Sequence, residues 1–149
     1  MPKLAIRSAN ETDFEVIHQF IHSLAVYEKE PHAHITSAEQ YIIDYKEKWF
    51  DVDLAEIESE VVGMLFYYNA YSTWKGRTLY LEDFIVKESF RNQGIGQKLF
   101  SHLIEVARNR KCNLIRWQVL DWNQPAIDFY RKNKAEIESG WLNGKILLI

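Results

Sequence analysis

The chain has one cysteine in 149 residues, so no intrachain disulfide framework can form. Such cysteine usage fits a reducing compartment. Cys112 sits between Lys111 and Asn113, just before an apolar run, and reads as a packing residue rather than a nucleophile. There are three prolines and six glycines, and no linker, repeat or low-complexity tract. No apolar run approaches the ~20 residues that span a bilayer. Arg7 arrives too early for a signal peptide, so the cytoplasm is expected and a membrane partner is not. The formal net charge is only −3, which argues against general affinity for nucleic acid. The five histidines (His18, His22, His32, His34 and His102) make no metal constellation. His18 and His22 are four apart, but no third ligand follows, and no metal is expected.

What remains is apolar and aromatic. Hydrophobic residues make up 47% and aromatic residues 14% of the chain, enough for one core and a single domain over 1–149. Residues 4–7 alternate as a first strand would. Thr12 and Glu15 have capping-box spacing ahead of Phe14, Ile17, Ile21 and Leu24, which recur at helical spacing. A second helix is expected from Ser37, with Gln40 three residues on and Tyr41, Ile42 and Tyr45 as its stripe. Residues 53–58 and 61–68 read as a hairpin with its break at Ser59 and Glu60. A strand follows at 78–86, then a helix placing Leu99, Leu103, Val106 and Ala107 on one face. Residues 114–120 read as a central strand. Pro125 suits the first turn of a helix ending near Asn133. A last strand is expected at 145–149, with a short one near 135–138 as an option. The segment 28–34 reads as the most mobile loop. The order βααβββαβαβ makes a mixed α/β fold.

The most informative stretch is Arg91-Asn92-Gln93-Gly94-Ile95-Gly96, between a strand and a helix. The first N–H groups of a helix lack intrahelical partners and carry the positive end of its dipole. Glycine lets the backbone approach a phosphate closely. Glycines used only for turn geometry would look the same.

The neighbours separate these readings. Arg-x-x-Gly-x-Gly resembles the acetyl-CoA pyrophosphate loop of the GNAT family of N-acetyltransferases. Asn123-Gln124-Pro125-Ala126-Ile127-Asp128-Phe129-Tyr130 resembles that family's second signature, Asn followed by Ala-x-x-Phe-Tyr. Tyr80-Leu81-Glu82-Asp83-Phe84 and Val119-Leu120-Asp121-Trp122-Asn123 are similar to its diamine branch. Residues 71–78 are similar to the thialysine relatives of the spermidine/spermine enzymes. The resemblance runs from Ile6-Arg7 to Trp141.

The resemblance implies a GNAT fold and transfer of acetyl from acetyl-CoA to a primary amine of a small cationic molecule. It places acetyl-CoA on Arg91, Asn92, Gln93, Gly94, Ile95, Gly96 and Gln97, with Asn123, Ala126 and Tyr130 beside it. Backbone N–H groups of Phe84, Ile85 and Val86 would face the thioester carbonyl. Glu82 would act as base, through water, and Tyr130 as acid toward the thiolate. Tyr27, Glu28, Trp74, Glu82 and Trp141 would surround the amine. Asp83 neighbours Glu82 on a strand and is expected on the opposite face. Asn123 also suits a helix N-cap. A homodimer with shared active sites is implied. One departure matters: the polyamine enzymes carry an acidic residue where this chain has Ser72, which favours thialysine, lysine-like amino acids or short diamines over spermine. Acetylation of a protein lysine or N-terminus, and a non-catalytic CoA-binding module, are the alternatives.

Overall fold

The computed structural model describes residues 3–149. The described elements are β1 (Leu4–Ser8), α1 (Phe14–Tyr27), α2 (Ala38–Lys46), β2 (Asp51–Ile57), β3 (Glu60–Ser72), β4 (Gly76–Val86), α3 (Ile95–Asn109), β5 (Leu114–Arg116) and α4 (Gln124–Lys132). They fall into two compact units, Met1–Gln118 and Val119–Ile149.

In the first unit the five strands form one sheet in the order β1-β2-β3-β4-β5. Every pair is antiparallel except β4 with β5. Side chains alternate across a strand, and the two faces of β3 show it. Met64 and Phe66 pack with Phe14, Ile17 and Phe20 of α1 and with Val52 and Leu54 of β2. Gly63 faces the other way: a methyl group added there would lie 2.9 Å from Leu99 Cδ1 of α3. So α1 and α2 cover one face and α3 the other. Asp53 is buried between β2 and α3. It accepts hydrogen bonds from Tyr67 Oη at 2.7 Å and bonds His102 Nε2 at 2.8 Å, a structural use for that histidine.

The helix signals fall near their expected places, with one shift. The capping box at the start of α1 uses Asn10 and Asp13, not Thr12 and Glu15. Asn10 Oδ1 accepts from Thr12 N–H at 3.0 Å, and Asp13 Oδ2 accepts from Asn10 N–H at 2.8 Å. Residues 11–13 form a tighter turn before α1 proper. Ser37 caps α2 through Gln40 N–H at 3.1 Å, as expected. The β2–β3 hairpin turns at Glu58 and Ser59, both at positive φ (49° and 68°). That is the geometry whose twist matches the flanking strands.

Two strand expectations are overturned. β5 ends at Arg116 rather than Leu120, because it pairs β4 only from Thr78 to Tyr80. In the second unit, 135–138 and 145–149 form no strand. Leu142 and Ile146–Ile149 are exposed, Leu148 at 91%. A strand needs a ladder partner, and apolar alternation alone does not supply one.

The segment read as a mobile loop is pinned. A short turn forms at Pro31–Ala33. His34 Nε2 then bonds Tyr41 Oη at 3.0 Å, and its Nδ1 lies 3.2 Å from His22 Nδ1. His18 lies against the same ring, tilted by 41° with centroids 4.6 Å apart.

Candidate active site

An open cleft of about 420 Å³ lies on the α1/α2 face of the sheet. Ile21, Tyr41, Phe50 and Phe66 line it, with Tyr68, Glu82 and Asp83. Both adjacent carboxylates therefore face one cleft, which corrects the expectation of opposite faces. The cause is a β-bulge. Phe66 pairs with Asp83 and Tyr67 with Leu81, leaving Glu82 as an extra residue. A bulge breaks the alternation of side chains and re-aims them.

Burial raises the Glu82 carboxyl above its ordinary pKa, opposed by a hydrogen bond from Tyr68 Oη at 3.5 Å. Asp83 is pushed up to about 7, by burial first and then by the charges of Glu82 and Glu28. Glu28, which ends α1, is raised by burial and by Glu82. The charge of Glu82 thus acts on both Glu28 and Asp83, and that of Glu28 on Asp83. The surroundings are aromatic. Tyr68 stacks on Tyr80 with ring centroids 5.2 Å apart. Tyr41 is pushed up to about 12 by burial and the charge of Asp83, so its phenol is neutral at physiological pH. Such a site suits a cation, which would bring the carboxylates the counter-charge they lack.

The other expected amine contacts are placed less closely. Tyr27 ends α1 beside Glu28 and is exposed. Trp74 is 84% exposed at the tip of the β3–β4 hairpin. Ser72 Oγ accepts from Trp74 N–H at 3.2 Å and Lys75 N–H at 3.1 Å, so it holds that tip. Trp141, in the second unit, is 82% exposed.

The glycine loop meets α3 as an anion site would require. Gly94 is its N-cap at φ 79°, with no side-chain cap on the first N–H groups. A Cβ at Gly94 would meet nothing within 4 Å, so the space above it is open. Asn92 is also left-handed, at φ 63°. Arg91 Nε donates to Val86 O at 3.1 Å and ties the loop to β4. Gln97 Nε2 donates to Ser101 Oγ at 3.2 Å along α3. Phe84, Ile85 and Val86 pair with β3, and their other edge is not laddered to β5, which stops opposite Tyr80. These residues fit a CoA pyrophosphate at the helix and a thioester along the strand edge.

In the second unit, Asn123 caps α4: its Oδ1 accepts from Ala126 N–H at 3.4 Å. Tyr130 is buried on α4, its ring 5.7 Å from that of Phe129.

Sequence reasoning missed Asp83, Tyr41 and Tyr68 in the cleft. Two successive acids inside the otherwise apolar run 79–86 were the available sign, since a regular strand would have buried one of them alone.

The chain belongs to the acetyltransferase (GNAT) family, whose model matches residues 9–134, and it is an N-acetyltransferase. It is similar to the thialysine N-epsilon-acetyltransferase of Mus musculus, 40% identical over 96% of this chain and 92% of that protein. The Caenorhabditis elegans protein of the same name is 37% identical over 78% of this chain and 72% of its own length. Among solved structures, an aminoglycoside acetyltransferase from an uncultured soil metagenomic sample superposes with a TM-score of 0.79 and 23% identity, over 98% of this chain and 97% of that one. An aminoglycoside N-acetyltransferase in complex with CoA gives 0.79 at 15% identity, over 98% and 96%. These two show the fold.

Proposed function

We propose that this enzyme transfers acetyl from acetyl-CoA to the side-chain amine of a small molecule of the thialysine class, a lysine-like amino acid or a short diamine. The observation that carries this reading is the pairing of Glu82 and Asp83 in one aromatic cleft, with Glu28 near enough for its charge to act on Asp83. The relatives' names support the amine class.

The chemical difficulty is the amine. With a pKa of ~10.4, about one molecule in 2,500 is neutral at pH 7. Supplying the free base costs roughly 4.6 kcal/mol. The carboxylates attract the ammonium, and Glu82 takes its proton, directly or through water. The raised pKa of the pair brings it nearer to working pH, where a base is most effective. Bound acetyl-CoA supplies the acetyl thioester. Backbone N–H groups of Phe84, Ile85 and Val86 steady the thioester carbonyl oxygen, and the Tyr130 hydroxyl gives a proton to the sulfur that leaves. The amine attacks directly; Cys112 lies in the turn between α3 and β5 and takes no part. Asn123 and Ala126 begin the helix that carries Tyr130. We further read the enzyme as a homodimer. The exposed apolar residues at 146–149 support this, and a monomer mass by sedimentation equilibrium would exclude it.

The reading is tested with acetyl-CoA and a panel of thialysine, lysine, ornithine, spermidine and a lysine-containing peptide, followed by thiol release. Thialysine or a short amine is expected to exceed spermidine in kcat/KM by at least tenfold. Spermidine as the best substrate would overturn the narrowing to short amines. Turnover of the peptide alone would assign the enzyme to proteins.

Gly94→Trp should weaken acetyl-CoA binding by at least tenfold, ~1.4 kcal/mol, because it fills the space above the α3 N-terminus and strains a positive φ. Calorimetric titration of the folded variant checks this. Unchanged affinity would place the cofactor elsewhere.

A further inference from the structure

The cleft is acidic at one end, but a cation stands on the same sheet face. Tyr68 on β3 pairs with Tyr80 on β4, and Tyr80 pairs with Arg116 on β5. Residues opposite one another in a ladder point to the same face. Tyr68, Tyr80 and Arg116 therefore form one row across three strands. Glu82 adjoins the row at Tyr68 Oη, 3.5 Å away. Arg116 is exposed, and none of the ion pairs formed among the described residues engages it. Its charge is felt by both phenols, whose pKa values it lowers against the effect of burial. It stands at the last paired residue of β5, where the β4–β5 ladder ends.

We propose that Arg116 is a specificity-determining residue that receives the α-carboxylate of an amino-acid substrate while the carboxylates at Glu82 hold its side-chain ammonium. This rests on the reading of the cleft as the amine site. Adjacent strands lie ~4.8 Å apart, so Arg116 and Tyr68 are separated by about 10 Å at the backbone. An extended lysine-like molecule places its terminal nitrogen about 7 Å from its carboxylate, from ordinary bond lengths. Such a molecule spans the row once the arginine side chain leans toward it. The guanidinium fork suits a carboxylate, which it can grip through two hydrogen bonds. Toward the second ammonium of a diamine or polyamine the same charge is repulsive. The site is therefore bipolar and takes a zwitterion better than a polycation.

The test compares lysine with cadaverine, which differs only in lacking the carboxylate, and adds thialysine. Arg116→Gln should lower kcat/KM for lysine and thialysine about tenfold, chiefly through KM. Cadaverine should be unaffected or improved, and KM for acetyl-CoA should not move. Arg116→Lys, which keeps the charge but loses the fork, should fall between. Arg116 is exposed at a strand end, so both variants should melt with the native protein. Equal losses for lysine and cadaverine, or a raised KM for acetyl-CoA, would overturn the inference by making Arg116 a structural or cofactor residue. Unchanged discrimination between lysine and cadaverine would overturn it alone. A native enzyme silent toward every small amine would overturn the amine site itself, and this inference with it.

Discussion

Tyr130→Phe is expected to lower kcat by roughly 10²–10⁴-fold, the usual worth of a positioned proton donor, with little change in acetyl-CoA affinity. The substitution removes one oxygen and keeps the ring. Tyr130 is buried on α4 and packs against Phe129, so the ring's contribution to packing survives. A phenol of ordinary pKa ~10 stays protonated at neutral pH and can deliver its proton to a thiolate. Two readouts separate chemistry from packing. Rapid-mix kinetics with acetyl-CoA should show the slow step moving to thiolate departure. A thioester whose leaving thiol has a lower pKa should recover much of the loss, because that sulfur departs without a donor. A fall in kcat below fivefold, or no recovery with the better leaving group, would reduce Tyr130 to a packing residue.

Local signals carried far in this sequence. Ser37, Gly94 and Pro125 each mark a helix start through backbone chemistry confined to four residues, and α2, α3 and α4 begin there. The order of elements and the mixed α/β class follow from such signals together with apolar periodicity. What depends on distant pairing was not legible. The end of β5 is set by where β4 stops offering it a ladder, at Tyr80. The segment 145–149 has a strand's composition and no partner within the described residues. Asn10 outcompeted Thr12 as a cap because Asp13 could return the hydrogen bond to the Asn10 N–H.

The site repeats that lesson. Glu82 was legible as an acid on the strand that leads to the glycine loop, with Asp83 expected on the opposite face. Its partnership with Asp83 was not, because period-two reasoning forbids it. The bulge that permits it is a mismatch of register between β3 and β4, visible only once Phe66 is seen opposite Asp83 and Tyr67 opposite Leu81. One inserted residue thereby changes a strand with a single polar contact into one presenting two carboxylates to the same cleft. It also places them by the row that ends in Arg116.

The carboxylate pair yields the sharpest test, because function and stability should move in opposite directions. Glu82→Gln is expected to lower kcat/KM about 10²-fold near pH 7, within the range for loss of a general base. The loss should shrink as pH rises. At pH 9.5 about one amine in ten is already neutral, against one in 2,500 at pH 7, so the missing base matters less. A profile parallel to the native one at every pH would sink the assignment of Glu82. The same substitution removes a negative charge that raises Asp83. The acidic limb of the profile should therefore move to lower pH, and the two carboxyls should be treated as one coupled system. Asp83→Asn gives the stability arm. The Asp83 carboxyl is raised in the folded protein, to about 7. Between its ordinary range and that value the folded state binds more protons than the unfolded chain, so stability falls as pH rises through that window. Asparagine cannot ionise and escapes the penalty. The variant should melt a few degrees above the native protein at pH 8, and the difference should vanish toward pH 4. Its acetyl transfer should nonetheless be impaired at both Glu82 and the substrate ammonium. A variant less stable than native at pH 8 would show that Asp83 serves the fold, and would leave Glu82 to meet the amine without it.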